Sequence, residues 1–105
     1  METHKVKKVV IITEKLIATQ VCELLDKSQA SGYTISSVDG KGSRNIRKSS
    51  IVENFANVKI EVIVKDQQVA LEITEAVVEE FLGKFSGITY IENVEIFRMA
   101  KFVIG

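Results

Sequence analysis

The first apolar segment, residues 6–12, reads Val6-Lys7-Lys8-Val9-Val10-Ile11-Ile12 and is rich in β-branched side chains. Such residues fit an extended, pleated chain, so a strand is predicted there. Its last four positions do not alternate, which predicts burial on both faces. Thr13 can cap a following helix by accepting a first-turn N–H. Leu16, Ile17, Val21, Leu24, Leu25 and Ser28 then recur at helical spacing, with Glu14, Lys15, Glu23, Asp26 and Lys27 largely on the other side. Gly32 is a suitable terminator. Residues 33–38 form a second strand rich in Tyr, Thr, Ile and Val. Residues 58–65 are the clearest strand, with Val58, Ile60, Val62 and Val64 on one face and Lys59, Glu61, Ile63 and Lys65 on the other. Asp66 can cap the second helix, whose apolar stripe is Val69, Ile73, Ala76, Val77 and Phe81. Gly83 or Gly87 ends it, and residues 88–98 form a last strand, bulged near Glu92 and Asn93 where the alternation falters.

The order β-α-β-β-α-β predicts an α+β fold, the ferredoxin-like sandwich of two helices on one face of a four-stranded antiparallel sheet. Residues 1–105 form a single domain. Two helices cover one sheet face only. Ile63, Ile91 and the doubly apolar first strand place apolar character on the other face, which predicts an oligomer with the bare faces turned inward.

Composition narrows the classes. Fourteen Lys and Arg balance fourteen Asp and Glu, and the 105 residues include one Cys, one His and no Pro. One cysteine excludes an internal disulfide scaffold and Cys-rich zinc sites. Zero net charge opposes a domain coated with nucleic acid, and the strands at 6–12 and 58–65 lack the aromatics that stack on RNA bases. No apolar run reaches membrane-spanning length, and the N-terminus lacks the pattern of a secretory signal. A cytoplasmic location is expected.

The balance hides a basic loop. Residues 39–50 run Asp-Gly-Lys-Gly-Ser-Arg-Asn-Ile-Arg-Lys-Ser-Ser, without a defensible period. Phosphate binding needs close backbone N–H groups, a hydroxyl and fixed positive charge. Gly40 and Gly42 lack the Cβ that blocks close approach, Ser43 supplies the hydroxyl, and Arg44 and Arg47 offer planar forks for phosphate oxygens. The spacing is not that of a Walker A loop. A solvated basic hairpin is the competing reading. Glu14 stands at the end of the first strand, where it can meet a ligand or simply complement a helix dipole. His4 sits in a terminus expected to fray, Cys22 is a small half-buried thiol, and Glu72, Glu75, Glu79 and Glu80 form the wet side of a helix.

Together the segments Val9-Val10-Ile11-Ile12-Thr13-Glu14-Lys15, Ser31-Gly32-Tyr33-Thr34, Gly40-Lys41-Gly42-Ser43-Arg44-Asn45-Ile46-Arg47 and Gly87-Ile88-Thr89-Tyr90-Ile91 resemble the PII-like signalling proteins, most of all the SbtB type associated with the cyanobacterial bicarbonate transporter SbtA. The resemblance spans nearly the whole chain. It implies a homotrimeric signalling protein that binds adenine nucleotides (AMP, ADP, ATP or cyclic AMP) in clefts between subunits, with a divalent cation as a companion of ATP and no required cofactor. It implies that residues 40–57 are the T-loop, which reads the nucleotide and docks on a partner, a membrane transporter of the SbtA kind. Carried onto this chain, Ser43, Arg44 and Arg47 hold phosphate, Gly40, Lys41 and Gly42 supply close backbone, and Gly87 and Ile88 of a neighbouring subunit pack near the base.

The segment Met99-Ala100-Lys101-Phe102-Val103-Ile104-Gly105 carries neither the cysteines nor the proline of the C-terminal hairpin of many SbtB-type proteins, so its redox switch is not expected. The loop between Arg47 and Val58 is also shortened relative to that type. No tyrosine lies between Tyr33 and Tyr90, so uridylylation of the loop is not expected. A regulatory binding protein is therefore expected rather than an enzyme. The competing readings are a slow nucleotide phosphohydrolase using the same loop, with Glu14 as a metal ligand, and a metal-tolerance trimer resembling the CutA proteins.

Overall fold

The computed structural model describes residues 2–28, 32–38 and 56–97, together with the backbone of 103–104. β1 (His4–Glu14) is followed by a 3-10 turn (Lys15–Ile17) and α1 (Ala18–Lys27). β2 (Thr34–Val38) and β3 (Asn57–Val64) follow, then α2 (Gln67–Val77), a π-helical turn (Val78–Leu82), β4 (Gly87–Ile96) and β5 (Val103–Ile104). The sheet order is β2-β3-β1-β4, all antiparallel, which is the predicted βαββαβ arrangement. β5 adds two parallel rungs to β3, Ile63 with Val103 and Val64 with Ile104. β2 stops where Thr34 meets Glu61, so this stretch of the β3 edge is open to the tail.

The core lies between sheet and helices. Val9 and Ile11 of β1, the even positions of β3, Val21 and Leu25 of α1, and Ala70, Ile73, Val77 and Phe81 of α2 and the turn after it form one buried cluster. The strict alternation of β3 is realised: Val58, Ile60, Val62 and Val64 are buried, while Lys59, Glu61 and Ile63 are half-buried on the opposite face. Val10, on that opposite face, is also fully buried, as the unbroken apolar run of β1 predicted.

Several expectations change. Thr13 does not cap α1; it is the penultimate residue of β1, and its hydroxyl turns to the residue before β4. Leu16 lies in the 3-10 turn and is exposed rather than in the apolar stripe. His4 is not frayed, since it pairs with Ile96. The β1–β4 register runs without interruption from His4 with Ile96 to Thr13 with Gly87, so no bulge occurs at Glu92 and Asn93. The same register puts Ile91 beside Val9, on the helix side, where it packs against the core. Ile88 and Tyr90, paired with Ile12 and Val10, carry the apolar character of the open face instead. Asp66 does cap α2: its Oδ1 accepts the Val69 N–H at 3.0 Å. Gly83 is the glycine that closes the helical segment, in ordinary right-handed geometry.

Candidate nucleotide-binding pole

Antiparallel pairing gathers four strand ends at one pole of the sheet. Glu14 and Val38 both lie opposite Asn57, and Thr13 lies opposite Gly87. Both flanks of the basic loop therefore lie at the same end of the sheet as the start of β4, with β1 between β3 and β4. Gly40, Lys41, Gly42, Ser43, Arg44 and Arg47 lie outside the described residues. Of the other predicted site residues, Glu14, Gly87 and Ile88 are all at this pole.

Gly87 is where the backbone needs glycine. A Cβ there would lie 2.7 Å from the Ile12 carbonyl oxygen, 2.9 Å from Leu82 Cδ2 and 3.0 Å from Thr13 Oγ1. The residue before it is gripped twice. Thr13 Oγ1 donates to the Ser86 carbonyl at 2.8 Å, and the Ser86 N–H donates to Glu14 Oε2 at 2.7 Å. Thr13 and Glu14 are 1% and 4% exposed and Ser86 is half-buried, so both contacts are partly shielded from water. The next residue holds the loop's end, because the Lys15 N–H donates to the Ala56 carbonyl at 2.7 Å. Ile88, in contrast, is 56% exposed and faces away from the helices. Thr13 and Ser86 are the residues that sequence pattern alone misses here. Their signal is long-range, a register that brings residue 13 to residue 87.

The open face carries an ion cluster. Lys8 Nζ lies 2.9 Å from Glu61 Oε2 and 3.3 Å from Glu92 Oε1. The hydrogen bond to Glu61, opposed by burial and aided by Glu92, raises the Lys8 pKa, and the same bond lowers that of Glu61. A hollow of about 550 Å³ adjoins it, lined by Tyr33, Ile63, Ile96 and Phe97 besides the ion pair. Burial pushes the Cys22 thiol up, with the Tyr33 hydroxyl pulling the other way. Tyr33 itself is pushed up to about 12, first by burial and then by its hydrogen bond with Cys22. Glu72, Glu75, Glu79 and Glu80 are all exposed, the wet face expected of them. Among the described residues, no group of three or more His, Cys, Asp or Glu side chains is placed to hold a metal ion. Nor is any described helix long and apolar enough to cross a membrane.

The family model for Nitrogen regulatory protein P-II matches residues 6–101. The chain belongs to the P-II family. This P-II chain superposes on a PII-like signaling protein from Thermus thermophilus with a TM-score of 0.81 and 36% identity, covering 98% of this chain and all of that one. It is also similar to CPII from Thiomonas intermedia bound to ADP, AMP and acetate, with a TM-score of 0.79 and 26% identity over 98% of this chain and 99% of that one. A second CPII structure, bound to ADP and bicarbonate, gives a TM-score of 0.78 and 25% identity, covering 96% and 97% of the two chains. The P-II regulatory family thus accounts for the split β-α-β sheet, and these structures match this chain over nearly its whole length.

Proposed function

We propose that this P-II protein is an adenine-nucleotide sensor that acts on a partner through its 40–57 loop. The observation that carries this reading is the likeness to ADP- and AMP-bound CPII over nearly the full length of both chains. The pole supports it. Close backbone at Gly87, the exposed apolar Ile88 and both flanks of a loop bearing Lys41, Ser43, Arg44 and Arg47 meet there. In this reading Gly40, Lys41, Gly42, Ser43, Arg44 and Arg47 bind the phosphates. Gly87 and Ile88 of the adjacent subunit flank the base. A nucleotide shifts the loop only by its differential affinity for the loop's conformations, and the partner binds the one selected.

The assembly is a homotrimer with open faces inward. Val6, Val10, Ile12, Ile63, Ile88 and Tyr90 share that face with the Lys8 ion cluster. Sedimentation should give three times the 11.7 kDa protomer mass, and a monomer at micromolar concentration would sink the trimer. The partner is a bicarbonate or related membrane transporter, as for the SbtB type. Bicarbonate in a CPII structure supports a role in inorganic-carbon handling.

Calorimetry with AMP, ADP, ATP and cyclic AMP tests the core of the proposal. Binding is expected for at least one, weakened about tenfold or more when Arg44 and Arg47 are replaced by Ala, since each removes a charge-assisted bond to phosphate. A folded trimer that binds none of the four rejects it.

A further inference from the structure

The β1–β4 ladder stops at Thr13 opposite Gly87, while β1 continues one residue further and pairs with β3 through Glu14 and Asn57. Just past that last rung, the Ser86 N–H donates to a side chain: the carboxylate of Glu14, 4% exposed, accepts it at 2.7 Å. Ser86 is half-buried, and the bond from its N–H to a charged group on a buried side chain helps fix where Ser86 sits. Thr13 secures the carbonyl of the same residue, and Gly87 follows with no room for a Cβ. Ser86 and Gly87 are therefore immobilised from β1, at the foot of the exposed Ile88.

We propose that Glu14 is a positioning residue for nucleotide binding: its carboxylate holds the Ser86 N–H so that Gly87 and Ile88 stand preorganised beside the base. Its own backbone is paired with Asn57, and the Lys15 N–H holds Ala56. One residue thus joins the base-flanking segment to the foot of the basic loop. A nucleotide that strains one end of this junction alters the other, and linkage makes that coupling reciprocal. The role deepens the nucleotide-sensor reading and rests on it. It assigns Glu14 no contact with the nucleotide and no metal.

The test compares the parent with Glu14→Gln, which keeps an oxygen acceptor, and with Glu14→Met and Glu14→Ala, which do not. Val64→Ala, a buried cavity variant at the opposite end of β3, controls for lost stability. ADP affinity is measured by calorimetry, and exchange of the Ser86 amide by NMR. Glu14→Gln should bind ADP within about threefold of the parent and keep the Ser86 amide protected. Glu14→Met and Glu14→Ala should bind about tenfold more weakly, as expected for losing a bond to a charged acceptor, with fast Ser86 exchange. Val64→Ala should melt lower yet bind as the parent does. Parent-like ADP binding by Glu14→Met or Glu14→Ala overturns the positioning role while the sensor reading stands. So does an equal loss in Glu14→Gln. A parent that binds no adenine nucleotide overturns both.

Discussion

Replacing Gly87 by Ala adds one carbon where three groups already stand. Leu82 can swing away, being the end of a flexible side chain at 2.9 Å. The Ile12 carbonyl at 2.7 Å cannot, because β1 is held by β3 on one side and β4 on the other. Thr13 Oγ1 can rotate only by giving up its bond to Ser86. Overpacking of this kind costs about 1–3 kcal/mol. Losing the Thr13 bond adds about 0.5–1.5 kcal/mol, and the stiffer unfolded chain returns about 0.4–1 kcal/mol. Together these give about 0.5–4 kcal/mol, centred on about 2 kcal/mol, which lowers the melting midpoint by about 10 °C for a domain of this size. Urea unfolding followed by circular dichroism, at matched protomer concentration, reads it. Gly83→Ala is the control. Nothing lies within 4 Å of its Cβ position, its φ is −80°, and the substitution should be neutral or stabilise by about 0.4–1 kcal/mol. If Gly87→Ala unfolds within about 0.5 kcal/mol of the parent, on the scale of a neutral surface change, the close-approach argument is refuted.

Asp66→Ala should cost about 1 kcal/mol in urea unfolding by leaving the Val69 N–H without its cap, whereas Asp66→Asn should cost much less. Glu61 has a folded pKa below its unfolded one, so its contribution is present above the ordinary carboxylate range and fades as pH falls through the lowered value. Glu61→Gln should therefore flatten the acid limb of a stability–pH curve, and an unchanged slope would count against the Lys8 pair. Lys8 works in the opposite sense: its raised pKa gives stability that holds below the ordinary lysine range and is lost as pH rises through the folded value. Because burial raises the Cys22 pKa, its thiol should react with an aromatic disulfide at pH 8 more slowly than free glutathione and speed up in urea.

β3 was legible because one face is core and the other is not, so period two survives in Val58, Ile60, Val62 and Val64. Asp66 was legible because capping is local. Ile91 was misassigned because the pattern of β4 breaks at two polar residues, and its face is decided by pairing with Val9, far away in the chain. Thr13 shows the same limit: its hydroxyl suits a helix cap, yet a carbonyl 73 residues on claims it. Glu14 stood out in the sequence either as a residue near a ligand or as an acid complementing a helix dipole. Its bond to Ser86, and hence its place as a junction, depends on where two ladders end. The two-residue β5 carries too little pattern for any local reading. Gly40, Lys41, Gly42, Ser43, Arg44 and Arg47 rest on motif chemistry, and their expected roles lie outside the described residues.

The short tail strand gives the sheet a weak seam. Two rungs join Val103 and Ile104 to Ile63 and Val64, whereas the β2–β3 ladder has five. Two rungs recover little of the entropy of ordering the segment that carries them, so this ladder is expected to form last and open first. Each opening bares a β-branched stretch of strand edge, the kind of surface on which foreign strands template. Shelf life in concentrated solution should therefore follow the tail more closely than the core: clipping or tagging it would promote aggregation while leaving the melting temperature nearly unchanged.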